Sequence, residues 1–287
     1  MMTSAEQHLA TRRAAGLFDF SFMGLYEFTG ARELQRLQTR DLATLEAGQA
    51  AYTLLLKDDG AVLIDATVWR IDAQRYWLFT GTRAAHGGRD RSGEHAILAL
   101  QGPDSGRILA RLIGEKTVRG LRYFHTVELE DMVVGRLGFS GELGYELLVP
   151  AAREGTLRDK LKDVPACSFD AADTLRIESG HVLFDRELDG RANPRELGLE
   201  RFAPGRAFEA RRRLVGLEPL AGGDAKGRAR VTSECDSPTL GRRIALGFAA
   251  PEACSGDRVA LDDGRIARVA PLPFYDPQRR RPRDNPL

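Results

Sequence analysis

The chain has 287 residues, of which 43% are apolar and 29% charged, with a formal net charge of +1. That length suffices for one large domain or two modest ones, and the composition is that of an ordinary globular protein. The near-neutral charge excludes a global pull toward nucleic acid or acidic membranes, and no apolar run reaches the roughly 18 residues of a membrane-spanning helix.

Residues 4–15 read as a helix with Leu9 as its apolar position. Glu6, Arg12 and Arg13 break up this segment, so no signal peptide is expected. Residues 17–29 are rich in Phe and Tyr and predict strand, broken at Gly24. A short helix is expected over 31–37, with Leu34 and Leu37 on one side. Residues 51–56 and 61–69 are β-rich runs joined by Asp58-Asp59-Gly60, a tight-turn signal. Further strands are expected over 76–80 and 95–100, the latter closed by the Gln101-Gly102-Pro103 turn before a helix over 104–113. Strands over 133–139 and 145–149 flank the turn 140–144, and 169–177 reads as a helix with Asp170 as its N-cap. The stretch 186–194 is polar and turn-rich.

Beyond Pro204 and Gly205 the pattern changes to short strands at close spacing, over 213–218, 229–231, 244–249, 258–260 and 265–269. Such spacing predicts a small barrel, with the boundary near 203–212. The cluster Arg279, Arg280, Arg281 and Arg283 lies among Pro277, Pro282 and Pro286 and predicts a solvated, poorly ordered tail. Cys167, Cys235 and Cys254 fit neither a zinc site nor a disulfide framework, so reduced thiols in a cytoplasmic protein are expected.

Two carboxylates stand out. In the strand over 61–69, alternation puts Ala61, Leu63, Asp65, Thr67 and Trp69 on one face. A carboxylate in mid-strand must be hydrogen-bonded or must serve a ligand. Glu146 sits likewise among Tyr145, Leu147, Leu148 and Val149. It could accept two parallel N–H bonds from an arginine or from a heterocycle with an amino group beside a ring N–H. Arg176, between Leu175 and Ile177, is one candidate partner. Taken singly, an internal bond or ion pair explains each as well as a ligand does. No phosphate-cradling loop, dinucleotide fingerprint, nucleophile elbow or metal-spaced histidine pair is present, and His8, His86, His95, His125 and His181 are scattered.

Several segments, in order, resemble the aminomethyltransferase (glycine-cleavage T-protein) family. Gly16-Leu-Phe-Asp-Phe-Ser-Phe-Met-Gly24 resembles its GLFDxSHMG opening, and Tyr52-Thr-Leu-Leu-Leu with Gly60-Ala-Val-Leu-Ile-Asp65 resembles YTLLL…GGxxDD. Ala99-Leu-Gln-Gly-Pro103 matches ALQGP, Gly138–Glu146 resembles GYTGExGFE, and Leu175-Arg-Ile-Glu-Ser-Gly180 resembles LRLEAG. Val231–Leu240 resembles VTSGxxSPxL.

The resemblance implies an α+β fold: a cloverleaf of α/β subdomains with a C-terminal small β-barrel. Residues 1–205 would form the folate-binding domain and 206–287 the barrel domain. It implies a tetrahydrofolate-dependent aminomethyl or methyl transfer from a small-molecule or protein-bound donor, with a lipoyl protein or an oxidase as partner and no metal. Asp65 falls on the catalytic Asp and Glu146 on the residue that grips the pterin. Arg176 falls near the folate tail, and Trp77, Phe139 and Met23 fall on positions lining the folate.

The departures are Phe22 for a His, Phe139 and Trp77 for Tyr, Gly81 for Asn, Ile64 for the first Asp of the pair, and a shortened connection over 82–95. The alternative reading is a folate-binding accessory protein without turnover, or a module working with a partner enzyme.

Overall fold

The computed structural model describes residues 2–84 and 86–287. In chain order the elements are α1 (Ser4–Arg13), β1 (Gly16–Asp19), β2 (Gly24–Thr29), α2 (Arg32–Leu37), β3 (Gln49–Leu56), β4 (Val62–Arg70), β5 (Arg75–Thr80) and β6 (Arg89–Asp90). There follow β7 (His95–Gln101), α3 (Ser105–Ile113), α4 (Glu115–Gly120), β8 (Thr126–Glu128), β9 (Val133–Gly135), β10 (Gly144–Pro150), α5 (Glu154–Lys160), β11 (Ala166–Cys167) and α6 (Phe169–Glu178). The last strands are β12 (Arg213–Leu220), β13 (Gly227–Ser237), β14 (Arg242–Ala249), β15 (Arg258–Leu261) and β16 (Ile266–Ala270). No helix among the described residues is long and apolar enough to cross a membrane.

Three sheets result. One has the order β11-β1-β7-β10-β9-β8, and a second β3-β4-β5-β2-β6. The third closes on itself as β12-β14-β13-β15-β16, with β16 returning to pair with β12, so the expected small barrel is present. Its β13 is longer than the sequence suggested, because a bulge between Val231 and Ser233 lets it keep pairing with β14 as far as Ser237.

Side-chain alternation assigns each strand face to a core layer. On β7 and β10, Ala96, Leu98, Leu100, Tyr145, Leu147 and Val149 pack outward with Leu109, Val118 and Leu157 of α3, α4 and α5. The opposite faces, with Ile97, Ala99 and Leu148, meet Trp69, Trp77 and Phe79 of the second sheet and Ala171, Ala172 and Leu175 of α6. The far side of that second sheet buries Ile64, Ala66, Val68, Tyr76 and Leu78 under Leu34 of α2. Gly135 permits the inter-sheet contact: a Cβ there would lie 2.5 Å from the Trp69 ring.

Two helix expectations are corrected. The N-cap of α6 is Ser168, whose hydroxyl accepts from Ala171 N, and Asp170 is the second helical residue, within the first turn. Helix α1 buries Gln7, His8, Thr11 and Arg12, so its inner stripe is polar. The reason is a satisfied charge network. Arg12 donates from Nε and Nη2 to Glu178 Oε2 at 3.0 and 2.7 Å, and from Nη1 to Ser140 O and Glu142 Oε1 at 2.6 and 3.1 Å. His8 bridges Thr174 and Thr239 through its two ring nitrogens, each at 2.7 Å, and Ser237 of the barrel donates to Glu178.

The C-terminal residues are also ordered against the body, contrary to the expected solvated tail. Arg12 stacks over Tyr275 at 3.9 Å, Arg281 pairs with Glu142 at 3.4 Å, Arg136 donates to Asp284 O, and Leu287 packs on the outer core. Gly106 of α3 lies against Pro286 so closely that a Cβ would fall 1.9 Å from its carbonyl oxygen. Arginine supplies both charge and a stacking plane, so a basic run can be part of the packing.

Burial alone would raise the Glu178 carboxyl, but the His8 hydrogen bond, the Arg12 charge and the Ser237 hydroxyl outweigh it and bring it down to about 2. A carboxyl depressed on folding stabilises the protein above its unfolded value and loses that contribution as pH falls. The Glu178→Gln protein is expected to be less stable by about 3 kcal/mol at neutral pH, as when one partner of a buried pair is removed. Denaturant titrations should show the deficit shrinking between pH 4.5 and about 2. A deficit independent of pH would show that packing and not charge is lost.

Candidate functional site

The hairpin of β3 and β4 presents Asp65 at mid-strand, opposite Leu54. Tyr52, two residues along β3 on the same face, donates its hydroxyl to Asp65 Oδ2 at 2.9 Å. Burial raises the Asp65 carboxyl to about 6, against the lowering effect of the Tyr52 bond, and the Glu187 charge adds to the rise. Asp65 is therefore an ionisable group poised near neutrality on the face that carries Trp69 toward the first sheet.

Glu146 of β10 approaches the same interior from the other side. It pairs with Ala99 of β7 and Gly135 of β9, and Gly135 is the residue on which the Trp69 ring rests. Glu146 is 8% exposed. Among the described residues no donor reaches its carboxylate, and burial alone pushes it up to about 7. The Glu146 side chain is thus largely desolvated, with its acceptor edge free of any bond from the described residues. The Trp69 Nε1–H, also buried, has no protein acceptor.

Phe139 and Met23 lie at the edge of this inter-sheet layer, half-buried. Phe139 packs against Phe18 and Phe20 with ring centroids at 5.2 and 4.8 Å. Phe22 extends the aromatic row from Phe20 to Phe169, and both of these outer rings are exposed. Trp77 shares the inner face but is buried within the layer, its Nε1 donating to Glu27 at 3.1 Å. It acts there as a packing wall.

Arg176 is turned to the protein interior. Four of its five N–H donors go to Asp173 Oδ1 at 2.7 Å, Glu187 Oε2 at 2.7 Å, His181 O at 3.2 Å and Ser233 Oγ at 2.7 Å. The expected contact with a ligand tail is thus not what this geometry provides. Arg176 lies on the α6 face that meets the barrel, where Glu187 and Ser233 consume its charge. Glu187 itself is fully buried and accepts additionally from Leu183 N, Thr232 Oγ1 and Ser233 Oγ.

Sequence reasoning missed Glu187, His181 and the role of Tyr52. Tyr52 and Asp65 are cross-strand diagonal neighbours, a relation the hairpin turn fixes. His181 and Glu187 lie in a turn-rich stretch with no periodicity. His181 is held neutral: burial and the Arg279 charge lower its pKa to about 4. Its Nδ1 lies 2.7 Å from Phe139 O, so that nitrogen carries the proton and Nε2 accepts from Arg279 at 3.2 Å. No cluster of metal-ligating side chains occurs among the described residues.

Comparison with known proteins gives a consistent result. The family described as GCVT N-terminal domain matches residues 1–204. An aminomethyltransferase of Rubrobacter xylanophilus is 34% identical, over 98% of this chain and 87% of that protein. A probable aminomethyltransferase of Natronomonas pharaonis is 35% identical, over 94% and 90%. The crystal structure of the glycine cleavage system aminomethyltransferase T from Bartonella henselae superposes with a TM-score of 0.78 at 25% identity, over 95% of this chain and 90% of that one. On sequence, fold and coverage together, this chain belongs to the aminomethyltransferase family defined by the GCVT N-terminal domain.

Proposed function

We propose that this chain catalyses tetrahydrofolate-dependent transfer of an aminomethyl group, with a lipoyl-bearing protein as the donor. Residues 1–205 would bind the folate and 206–287 would form the barrel unit that braces α6.

The observation that carries this reading is the Glu146 carboxylate, buried, unpartnered and lying beside the aromatic layer of Trp69. A pterin fits it: a ring N–H beside an exocyclic amino group offers two parallel donors to one carboxylate. Phe139 and Met23 supply apolar surface at the edge of the same layer. Tetrahydrofolate, when bound, supplies the N5 nitrogen that receives the one-carbon unit.

The chain's own residues do the rest. Tyr52 fixes Asp65 through one hydrogen bond and leaves its second oxygen for other contacts. In its ionised form Asp65 stabilises positive charge developing beside it, in surroundings that exclude most water and so strengthen the interaction. Glu146 orients the ligand and the aromatic row limits its tilt. No observation favours the reading without turnover. An ionisable carboxylate held by Tyr52 is what transfer requires, and a pure binder has no use for it.

Asp65→Asn is expected to lower kcat by about 100-fold or more. The wild-type rate should fall on acidification through about pH 6, as Asp65 protonates. Rates of aminomethyl transfer from a lipoyl carrier measure both, and a variant of wild-type rate would remove Asp65 from the mechanism.

Glu146→Gln is expected to weaken folate binding by about tenfold or more, because one acceptor oxygen becomes a donor facing donors. The same change should stabilise the ligand-free protein at alkaline pH. A carboxyl raised from 4.5 to about 7 on folding costs stability that grows as pH rises through that interval. The gain is on the order of 3 kcal/mol. Binding should also release a proton near neutral pH, since the donors favour ionised Glu146. Calorimetry in buffers of different ionisation enthalpy reads the release, and unchanged affinity in the variant would overturn the assignment.

A further inference from the structure

Glu187 lies fully buried in the turn that follows α6, where barrel residues meet the Asp65 hairpin. Its Oε2 accepts from Arg176 Nη1 at 2.7 Å and from Leu183 N at 3.0 Å. Its Oε1 accepts from Thr232 Oγ1 and Ser233 Oγ, each at 2.6 Å. Thr232 and Ser233 are consecutive in β13, and consecutive side chains of a regular strand point to opposite faces. The bulge removes that restriction. Val231 pairs with Gly247 and Ser233 with Leu246, so Thr232 is the extra residue, and both hydroxyls turn to one carboxylate. A buried ion pair adds little net stability over an apolar filling of the same volume. A strand irregularity aimed at one carboxylate points instead to a need for that charge at that place.

Two contacts carry the position of Glu187 to Asp65. Leu188, its neighbour in sequence, packs in one cluster with Leu54, the cross-strand partner of Asp65, and with Tyr52, the Asp65 hydrogen-bond donor. Phe184, in the turn that the Leu183 bond closes, lies so close to Gly81 that a Cβ there would fall 2.4 Å from its ring. Gly81 directly follows β5, whose Thr80 pairs with Ala66, the residue after Asp65. The Glu187 charge also bears on the Asp65 carboxyl, in the direction that favours its protonated form. The other titratable groups around the two carboxylates are Arg176 and Asp173 of α6, His181 and Tyr52, with Arg201 acting on Tyr52. Burial holds Tyr52 well above its ordinary range and brings His181 down to about 4, so neither changes charge near neutrality.

We propose that Glu187 is a positioning residue for the transfer: the β13 bulge fixes its charge beside the Asp65 hairpin, and the barrel thereby acts on Asp65 without touching the ligand. The proposal rests on the reading of Asp65 as the group that stabilises charge in the reaction. A fixed negative charge near Asp65 disfavours a second one, so Asp65 keeps its proton to higher pH than it would beside Tyr52 alone. The same clamp holds the turn over 183–188, and with it Phe184 and Leu188, against the hairpin and the end of β5. That contact limits the drift of Asp65 relative to the ligand.

The test follows kcat against pH at saturating folate with a lipoyl carrier as donor, for the full chain and two variants, beside an NMR titration of the Asp65 carboxyl in the ligand-free proteins. Saturating folate keeps Glu146, the other carboxyl raised toward neutrality, on its ligand donors. In Glu187→Gln the acid limb of kcat and the Asp65 titration are both expected to move down by about half to one pH unit. Thr232→Val keeps the side-chain shape, the Glu187 carboxylate and the Arg176 pair. It should move both in the same direction by less, and lower kcat about threefold at an unchanged folate KM. Glu187→Gln leaves Arg176 buried without its partner; where that variant does not fold, Thr232→Val decides alone. Transfer whose acid limb and Asp65 titration stay put in the folded variants would overturn the proposal and leave the transfer reading standing. No transfer at any pH by the wild-type protein would sink the transfer reading and the proposal with it.

Discussion

The buried pair between Arg12 and Glu178 holds the molecule together at its most crowded junction. Removing two charges from water costs several kcal/mol each, recovered only when geometry is good and the remaining donors and acceptors are satisfied. Here they are. Arg12 reaches Glu178, Glu142 and the Ser140 carbonyl, while His8 and Ser237 complete Glu178. The contacts join α1, α6, the turn before β10, barrel strand β13 and, through Tyr275, the C-terminal segment. Most of these partners stand more than a hundred residues apart in sequence, so the pair exists only when every piece is in place.

That junction orients α6, and α6 has two working sides. Ala171, Ala172 and Leu175 close the inter-sheet layer, and Arg176 secures Glu187 near the barrel. The inter-sheet layer is built of apolar and aromatic side chains, with Glu146 lying beside it. The fold invests stability in keeping Asp65 and Glu146 there: both are raised toward neutral pH by burial, which is a cost in the ligand-free protein. Such a cost persists where a bound group repays it.

The C-terminal segment takes part in the same junction. Arg281 and Tyr275 belong to the buried junction, whereas Arg279, within the same short stretch, bonds to His181 and Arg283 stacks over Tyr123. A run that composition marks as a solvated tail therefore divides its arginines between a carboxylate partner and aromatic or histidine neighbours. Composition carries no information on that division, because it depends on which acidic groups wait at the docking surface.

The order of the motifs in the sequence determined the family and the α+β fold, and alternation in a strand picked out Asp65 and Glu146 as candidates, because it fixes which side chains share a face. The Asp-Gly hairpin and the short-strand barrel were legible for the same local reason. The polar stripe of α1, the Ser168 cap, the interior destination of Arg176 and the places of Glu187, His181 and Arg279 were decided only by the tertiary structure. Each depends on what lies opposite across a distant contact, and a lone sequence does not say whether a buried charge will meet a partner from its own fold or wait for one from a ligand.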